Sequence, residues 1–184
     1  ASWVALVRIV ATYGSSAVAG YTIAIRVVIF TILPSWGLGN AGATLVGQNL
    51  GAGKPERAET SIWRIVKYNV IFMLSVAFIF ILFAEKIIGI FTSDAEVLQH
   101  GVNCLRIISY GYGFYAVGMI IIQAFNGAGD TMTPTKINFF CFWVCQIPLA
   151  YALAHYWDLG PSGVFIAVAA AESLMAAAGV IIFR

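Results

Sequence analysis

Residues 33–53 read LPSWGLGNAGATLVGQNLGAG, a stretch that contains no charged side chain. Within it, Gly39, Ala43, Gly47 and Gly51 recur at every fourth position, so a helix places them on one face. Such ridges of small residues let two membrane helices approach closely. The stretch therefore predicts a membrane-spanning helix that packs tightly against a neighbour.

The same helix is predicted to bend. Pro34 removes one backbone hydrogen bond, and Gly37 follows within one turn. Transporters use broken or flexible helices near the middle of the membrane. A static kink fits the same residues equally well, and the sequence leaves both interpretations open.

The composition of the whole chain also indicates a membrane protein. Of its 184 residues, 61% are hydrophobic and 10% are charged, and the mean hydropathy is +0.90. Soluble domains contain about 45–50% apolar and about 25% charged residues. The net charge of +2 is too small to indicate a polyanionic partner. We therefore expect membrane lipid, and not nucleic acid, among its partners.

Six apolar segments predict the fold class, an all-α integral membrane protein built as a polytopic bundle of about six transmembrane helices. The chain starts without Met and is apolar at once. We therefore expect residues 1–184 to be a fragment of a longer protein that is cut within its first helix. The six segments cover residues 3–12, 18–50, 65–83, 105–125, 137–153 and 164–183.

The distribution of basic residues predicts the orientation. Alternate connections fall on opposite sides of the membrane, and one side collects six basic residues while the other has Lys86 and Arg106. The positive-inside rule assigns the first side to the cytoplasm. We expect a multi-pass protein of the cell (plasma or inner) membrane whose C-terminus is cytoplasmic. The six residues are Lys54, Arg57, Arg64, Lys67, Lys136 and Arg184.

Polar groups inside the apolar segments are the candidate transport residues. Glu172 lies in the sixth segment and Arg26 in the second, where a central charge costs at least about 2.5–3.5 kcal/mol. Glu172 is a candidate to pair with Arg26, to bind a cation or to carry a proton. The amides of Gln123 and Gln146 are candidates to line a pathway, with interhelical hydrogen bonds as the alternative.

Two glycine-rich helix exits resemble each other, one near residues 49–54 and one near residues 126–130. Both are predicted at the cytoplasmic end of a helix. Because any such exit needs glycine, a true structural repeat and a shared turn requirement both remain open. This cytoplasmic loop motif comprises Gln48, Asn49, Gly53, Asn126, Gly127, Gly129 and Asp130.

Catalysis and metal binding find little support in the sequence. It has no HExxH or CxxC motif, and no serine, histidine and aspartate that form a recognisable triad. Cys141 and Cys145 have helical spacing, but His100 and His155 lie outside their apolar run. We expect no enzymatic activity, no metal site and no cofactor.

Several motifs, in order along nearly the whole chain, resemble those of the multidrug and toxic compound extrusion (MATE) transporters. Residues 33–58 are similar to the family signature, and residues 125–134, FNGAGDTMTP, resemble the loop after the tenth helix. Residues 147–151, IPLAY, and residues 163–173 are similar to the eleventh and twelfth helices. The ordered series is more specific than any one motif.

The resemblance implies the C-terminal lobe of a twelve-helix, two-lobe transporter. Such a protein is a secondary active antiporter that exports cationic or amphipathic organic compounds in exchange for Na⁺ or H⁺, by rocking its lobes. A small organic cation and the missing N-terminal lobe are then its partners. The alternatives are a lipid-linked oligosaccharide flippase of the same superfamily and a non-transporting helical assembly module.

Several branches of the family that this chain resembles place acidic residues in the seventh and tenth helices, and the chain departs from that pattern. The corresponding segments here contain none. Other branches place the coupling carboxylate in the N-terminal lobe, and that type fits this chain better. Glu172 is then the one carboxylate embedded in a predicted span, and its coupling role is a hypothesis.

Overall fold

The computed structural model describes residues 2–183, and in that range all regular secondary structure is helical. Ala1 and Arg184, the latter one of the six basic residues counted above, lie outside the described residues. A π-helical segment, Phe140–Gln146, joins the helices Met132–Phe139 and Ile147–His155. The helices are α1 Ser2–Ala11, α2 Ser15–Gly51, α3 Pro55–Gly89, α4 Ala95–Tyr110, α5 Tyr112–Gly127, α6 Met132–Phe139, α7 Ile147–His155 and α8 Pro161–Phe183.

The helix lengths confirm an all-α membrane fold. Among the described residues, α2, α3, α8 and the unit Met132–His155 are each long and apolar enough to cross a membrane. The pair α4 and α5 forms a further span that is bent by 58°. The predicted apolar segment over residues 105–125 therefore includes the end of α4, the bend and most of α5. At ten residues, α1 is shorter than the roughly 20 that a crossing needs.

The bend between α4 and α5 falls at Gly111, where the chain meets α8. A Cβ atom on Gly111 would lie 3.1 Å from the Cβ of Ala169, so a larger residue would push the two helices apart. The preceding helix begins at Ala95, because the Asp94 carboxylate accepts bonds from the amides of Glu96 and Val97, at 2.9 and 3.2 Å. It continues to Tyr110.

Small residues join α2 to α5, as the sequence predicts. A Cβ atom on Gly39 would lie 3.1 Å from Gln123 Cγ, and one on Gly47 would lie 3.2 Å from the Gly127 carbonyl oxygen. A Cβ atom on Gly127 would overlap the backbone of Ala43. We call Gly39, Ala43, Gly47 and Gly127 the α2–α5 seam.

The seam ends within the helix. At Gly51, which was predicted to belong to the packing ridge, and at Gly37, which was predicted to allow bending, an added Cβ would meet nothing within 4 Å. Neither residue contributes to the seam. Helix α2 continues through Pro34 without a break. Whether this proline serves as a hinge stays a prediction.

The two glycine-rich exits share one turn geometry. Gly53 has φ 69° and Gly129 has φ 85°, which is the left-handed region that glycine adopts at helix ends. The amide of Lys54 donates to the Asn49 carbonyl at 2.8 Å, and the amide of Asp130 donates to the Phe125 carbonyl at 3.0 Å. The bonds one residue earlier also correspond, from Gly53 to Leu50 and from Gly129 to Asn126. The two exits therefore share one turn geometry, which a structural repeat and a common turn requirement both explain.

Candidate functional site

Two neighbouring cavities meet at Glu172. The first, of about 290 Å³, is lined almost wholly by apolar side chains of α1, α2, α4, α5 and α8. The second, of about 470 Å³, is lined by a larger share of polar side chains. Trp3, Trp36, Tyr115 and Val168 line both cavities with Glu172. The polar residues of the second are Ser2, Tyr21, Gln123, Asn126, Asn138 and Gln146.

The Glu172 carboxylate is the chemically unusual group at this site. Its Oε2 atom is buried and has no hydrogen-bond partner among the described residues. It stands on α8 after a run of alanines, Ala169–Ala171, whose small side chains leave space around it. A buried carboxylate without a partner is costly unless a proton or a cation neutralises it. The arrangement therefore suits reversible binding of either one.

The predicted ion pair between Arg26 and Glu172 does not form within residues 2–183. Arg26 is exposed on the outer face of α2 and lines neither cavity. The buried face of that helix is opposite, at Tyr21, Ala24 and Val28. The ion pair that does form in this range joins Arg106 to Glu85 at 3.3 Å, near the ends of α4 and α3.

Tyr21 supplies a second unsatisfied group. Its side chain is 2% exposed, and its hydroxyl has no hydrogen-bond partner in the described structure. The ring stacks on Phe165 with centroids 5.8 Å apart, and this contact fixes its direction toward the polar cavity. The sequence alone does not distinguish Tyr21 as a cavity residue, because tyrosine is common in membrane proteins.

Gln146 reaches the polar cavity because the helix that carries it is distorted. It is the last residue of the π-helical segment and is 3% exposed. Two residues later, Pro148 has no N–H to donate, and in a regular helix its ring would press on the carbonyl four residues before it. A wider π turn relieves that contact, and such turns are frequent at functional sites. The predicted pathway residue thus faces Glu172's cavity.

Gln123 belongs to a chain of amides at one end of the polar cavity. Its Nε2 donates to Asn40 Oδ1 at 2.8 Å, and its Oε1 accepts from Asn126 Nδ2 at 2.7 Å. The chain links a predicted pathway residue to a predicted loop residue. The other loop amides lie elsewhere, since Asn49 Nδ2 bonds to the Leu45 carbonyl at 2.7 Å and Gln48 is exposed.

Asp130, the last residue of the predicted loop motif, caps α6. Its Oδ1 accepts from the amides of Met132 at 3.1 Å and Thr133 at 3.0 Å. A hydrogen bond from the Thr133 side chain, and next the bond from the Thr133 amide, lower the pKa of this carboxyl below its ordinary value. Its place is structural and outside the cavities.

A buried amide node holds three helices together beside the cavities. Asn69 on α3 is fully buried, accepts from the Ser35 hydroxyl of α2, and donates from Nδ2 to the Ala116 carbonyl of α5 at 2.9 Å. Ser35 directly follows Pro34 within α2. The partners of Asn69 depend on how three helices pack, so they cannot be read from the sequence.

Comparisons with known proteins agree with this architecture. A family model described as MatE matches residues 2–152. The chain is 32% identical over 157 residues to the protein named "Probable multidrug resistance protein NorM" of Thermotoga maritima. That alignment covers 85% of this chain and 34% of the relative, so the chain spans about a third of the length of this curated relative.

Two solved structures superpose on the whole chain. Both are multidrug resistance MATE family transporters of the MOP superfamily, one in the inward-facing and one in the outward-facing conformation. The TM-score is 0.92 for each, with 25% and 26% sequence identity. Each superposition covers 100% of this chain and 42% or 41% of the solved chain. With its fold and most of its length matched in this way, the chain belongs to the MatE family and has the fold of a lobe of a MATE transporter.

Proposed function

We propose that this chain is the C-terminal lobe of a secondary active antiporter in the cell membrane, with its C-terminus in the cytoplasm. The complete protein exports cationic or amphipathic organic compounds in exchange for Na⁺ or H⁺. Its partners are the organic cation and the N-terminal lobe of the same protein. Members of the MatE family include multidrug resistance transporters, which supports the export of organic compounds.

The observation that carries the proposal is Glu172 Oε2, a buried oxygen with no hydrogen-bond partner among the described residues, on a side chain where an apolar and a polar cavity meet. In the proposed cycle, Glu172 takes up the coupling ion while the organic cation is absent. The Tyr21 hydroxyl and the Gln146 amide stand on the same polar cavity and supply further oxygen atoms. Release of the ion restores the negative charge that attracts a cationic substrate, so the two ligands stabilise different states.

Alternating access by rocking lobes is supported by the two superpositions. The inward-facing and outward-facing transporters match this chain with the same TM-score of 0.92. A lobe that fits both conformations equally well is one that moves as a unit. In this proposal any bending at Pro34 and the neighbouring glycines is confined to α2, while the α2–α5 seam keeps the rest of the lobe rigid.

The charge of the cavities favours a cation exporter over an oligosaccharide flippase. Among the residues that line the two cavities, the one acidic side chain is Glu172, and there is no lysine or arginine. A lipid-linked oligosaccharide carries phosphate, which basic side chains, arginine above all, bind most strongly. Trp3, Trp36 and Tyr115 instead offer aromatic faces, which attract organic cations.

The test is efflux by the full-length protein with Glu172→Gln. The amide keeps the shape of the side chain but can neither take up a proton nor neutralise a cation. We expect expression to persist, and drug efflux driven by an imposed Na⁺ or H⁺ gradient to fall at least about tenfold. Assays with each gradient separately identify the coupling ion.

Glu85→Gln is the matched control, because that carboxylate is exposed and lies outside both cavities. It should leave efflux unchanged. If Glu172→Gln expresses normally and transports at the unaltered rate, coupling through this lobe is wrong. If neither the unaltered protein nor any variant moves an organic cation, the non-transporting module gains support.

A further inference from the structure

The two ends of α3 differ in how their charges are balanced. At one end the Arg106 guanidinium is paired with Glu85 at 3.3 Å. At the other end, Arg57, Arg64 and Lys67 are exposed, and no carboxylate of the described residues lies within 4 Å of any of them. Three cations therefore point away from the protein with no internal counter-charge.

These three cations lie on one face of the helix. At 100° per residue they fall within about 80° of each other around the helix axis. The buried face of α3 is opposite, a regular ladder that packs into the bundle. Its members are Ala58, Ile62, Val66, Asn69, Met73, Ala77, Phe80, Ala84 and Ile88.

The acidic residues nearby do not neutralise this face. Glu59 is turned to the side, where its Oε1 accepts a bond from Trp63 Nε1 at 3.3 Å. Glu56 lies at the first turn of α3, where the helix dipole stabilises a negative charge. The excess of positive charge is therefore concentrated on Arg64 and Lys67, one turn before the apolar part of the same face begins.

An apolar groove continues that face toward the middle of the membrane. The small side chain of Ser75 forms its floor, since the Ser75 hydroxyl turns inward to the Ile71 carbonyl at 2.8 Å. Exposed Ile71, Leu74 and Phe78, together with Ile79, form its sides. Tyr68, which is 64% exposed, stands between the basic residues and the groove, at the level where tyrosines lie in membrane proteins.

The spacing of the charges along α3 matches the thickness of a bilayer. Lys67 and Glu85 are separated by a rise of about 27 Å at 1.5 Å per residue. The hydrocarbon core is about 30 Å thick. Lys67 and Arg64 are therefore at the level of the lipid headgroups, and the groove at Ser75 is at the level of the acyl chains.

We propose that this face of α3 binds one anionic glycerophospholipid, with its phosphate on Arg64 and Lys67 and one acyl chain in the groove at Ser75. Arg57, two turns above Arg64, adds to the attraction for the negative headgroup. The lipid supplies the counter-charge that the protein lacks. This site is separate from the Glu172 cavities, and it does not depend on the direction or the coupling of transport.

The test measures lipid selectivity in the full-length protein. The protein is reconstituted in phosphatidylcholine vesicles with spin-labelled phosphatidylglycerol or spin-labelled phosphatidylcholine as the probe. Electron paramagnetic resonance gives the immobilised fraction of each probe. Near the membrane surface each basic residue strengthens anionic-lipid binding about fivefold. Arg64→Gln with Lys67→Gln is therefore expected to reduce the selectivity for phosphatidylglycerol more than tenfold at this site.

Two further variants separate a built site from general electrostatic attraction. Lys136→Gln removes an exposed cation of α6 that is not part of the groove at Ser75. This variant should leave the strongly immobilised component unchanged. Ser75→Phe fills the groove without changing any charge, and should displace phosphatidylglycerol. The proposal is overturned if Lys136→Gln has the same effect as the double variant, or if Ser75→Phe leaves the immobilised fraction unaltered.

Discussion

The α2–α5 seam and the cavities at Glu172 lie on the same helices, yet they are packed in opposite ways. At the seam, Gly127 leaves no room for even one added carbon beside the backbone of Ala43. The cavities are lined by these two helices together with α8 and others, and there the Tyr21 hydroxyl and Glu172 Oε2 have no hydrogen-bond partner among the described residues. The contrast shows that one helix pair can combine close backbone contact along one part with unfilled space along another.

Adding a side chain inside the α2–α5 seam should have the largest effect on stability. Gly127→Leu places a side chain against a backbone that cannot move aside, and we expect a loss of at least about 3 kcal/mol of stability and little correctly inserted protein. Gly37→Ala adds a carbon where nothing lies within 4 Å and should be neutral or stabilising. Thermal melting of the full-length protein in detergent measures both. Equal melting temperatures would contradict the seam.

Breaking a satisfied polar group should come next. Asn69→Leu removes the acceptor for the Ser35 hydroxyl and the side-chain donor to the Ala116 carbonyl, with an expected cost of about 1–3 kcal/mol. Tyr21→Phe removes a hydroxyl that has no partner, so its melting temperature should not fall. The comparison is wrong if the tyrosine variant loses as much stability as the asparagine variant.

Removing the unsatisfied carboxylate should stabilise the lobe while it abolishes transport. Glu172→Leu replaces a buried polar group without a partner by an apolar side chain of similar size, with an expected gain of about 1 kcal/mol. Efflux should be lost together with the ion. Stabilised but inactive protein is the usual sign of a functional group that is kept at a cost. A lower melting temperature would indicate that Glu172 has a structural partner.

The smallest effect is expected at the helix cap of Asp130, outside both regions. Because its pKa is lowered on folding, the charged cap stabilises the protein above the ordinary pKa and loses that contribution as the pH falls through the lowered value. Asp130→Asn should therefore lower the melting temperature slightly at pH 7, and the difference should shrink near pH 3. An unchanged melting temperature of Asp130→Asn at pH 7 would contradict this capping role.

The sequence predicted those features that depend on local chemistry. The small-residue ridge at Gly39, Ala43 and Gly47, the exits at Gly53 and Gly129, and most spans follow from spacing and from the conformational freedom of glycine. The bend at Gly111 could not be predicted, because it depends on Ala169, which lies far along the chain and makes the contact only after folding.

The site was predictable in its members more than in its arrangement. Glu172, Gln123 and Gln146 stand out as polar residues in apolar segments, and they line the same cavity. The pairing of Glu172 with Arg26 was wrong because both faces of a lipid-embedded helix are apolar, so periodicity does not show which one is inside. Tyr21 was missed since only its unsatisfied hydroxyl distinguishes it.

The π-helical segment before Pro148 sets a rotational phase as well as a local shape. A π turn holds about one residue more than an α turn, which corresponds to roughly 100° of rotation. Deleting one residue between positions 140 and 146 would leave the span almost as long and as apolar as before. It would nevertheless turn α6, with Lys136, by about that angle relative to α7. Angular register, more than hydrophobic length, therefore decides which side chains of this span contact water and which contact lipid.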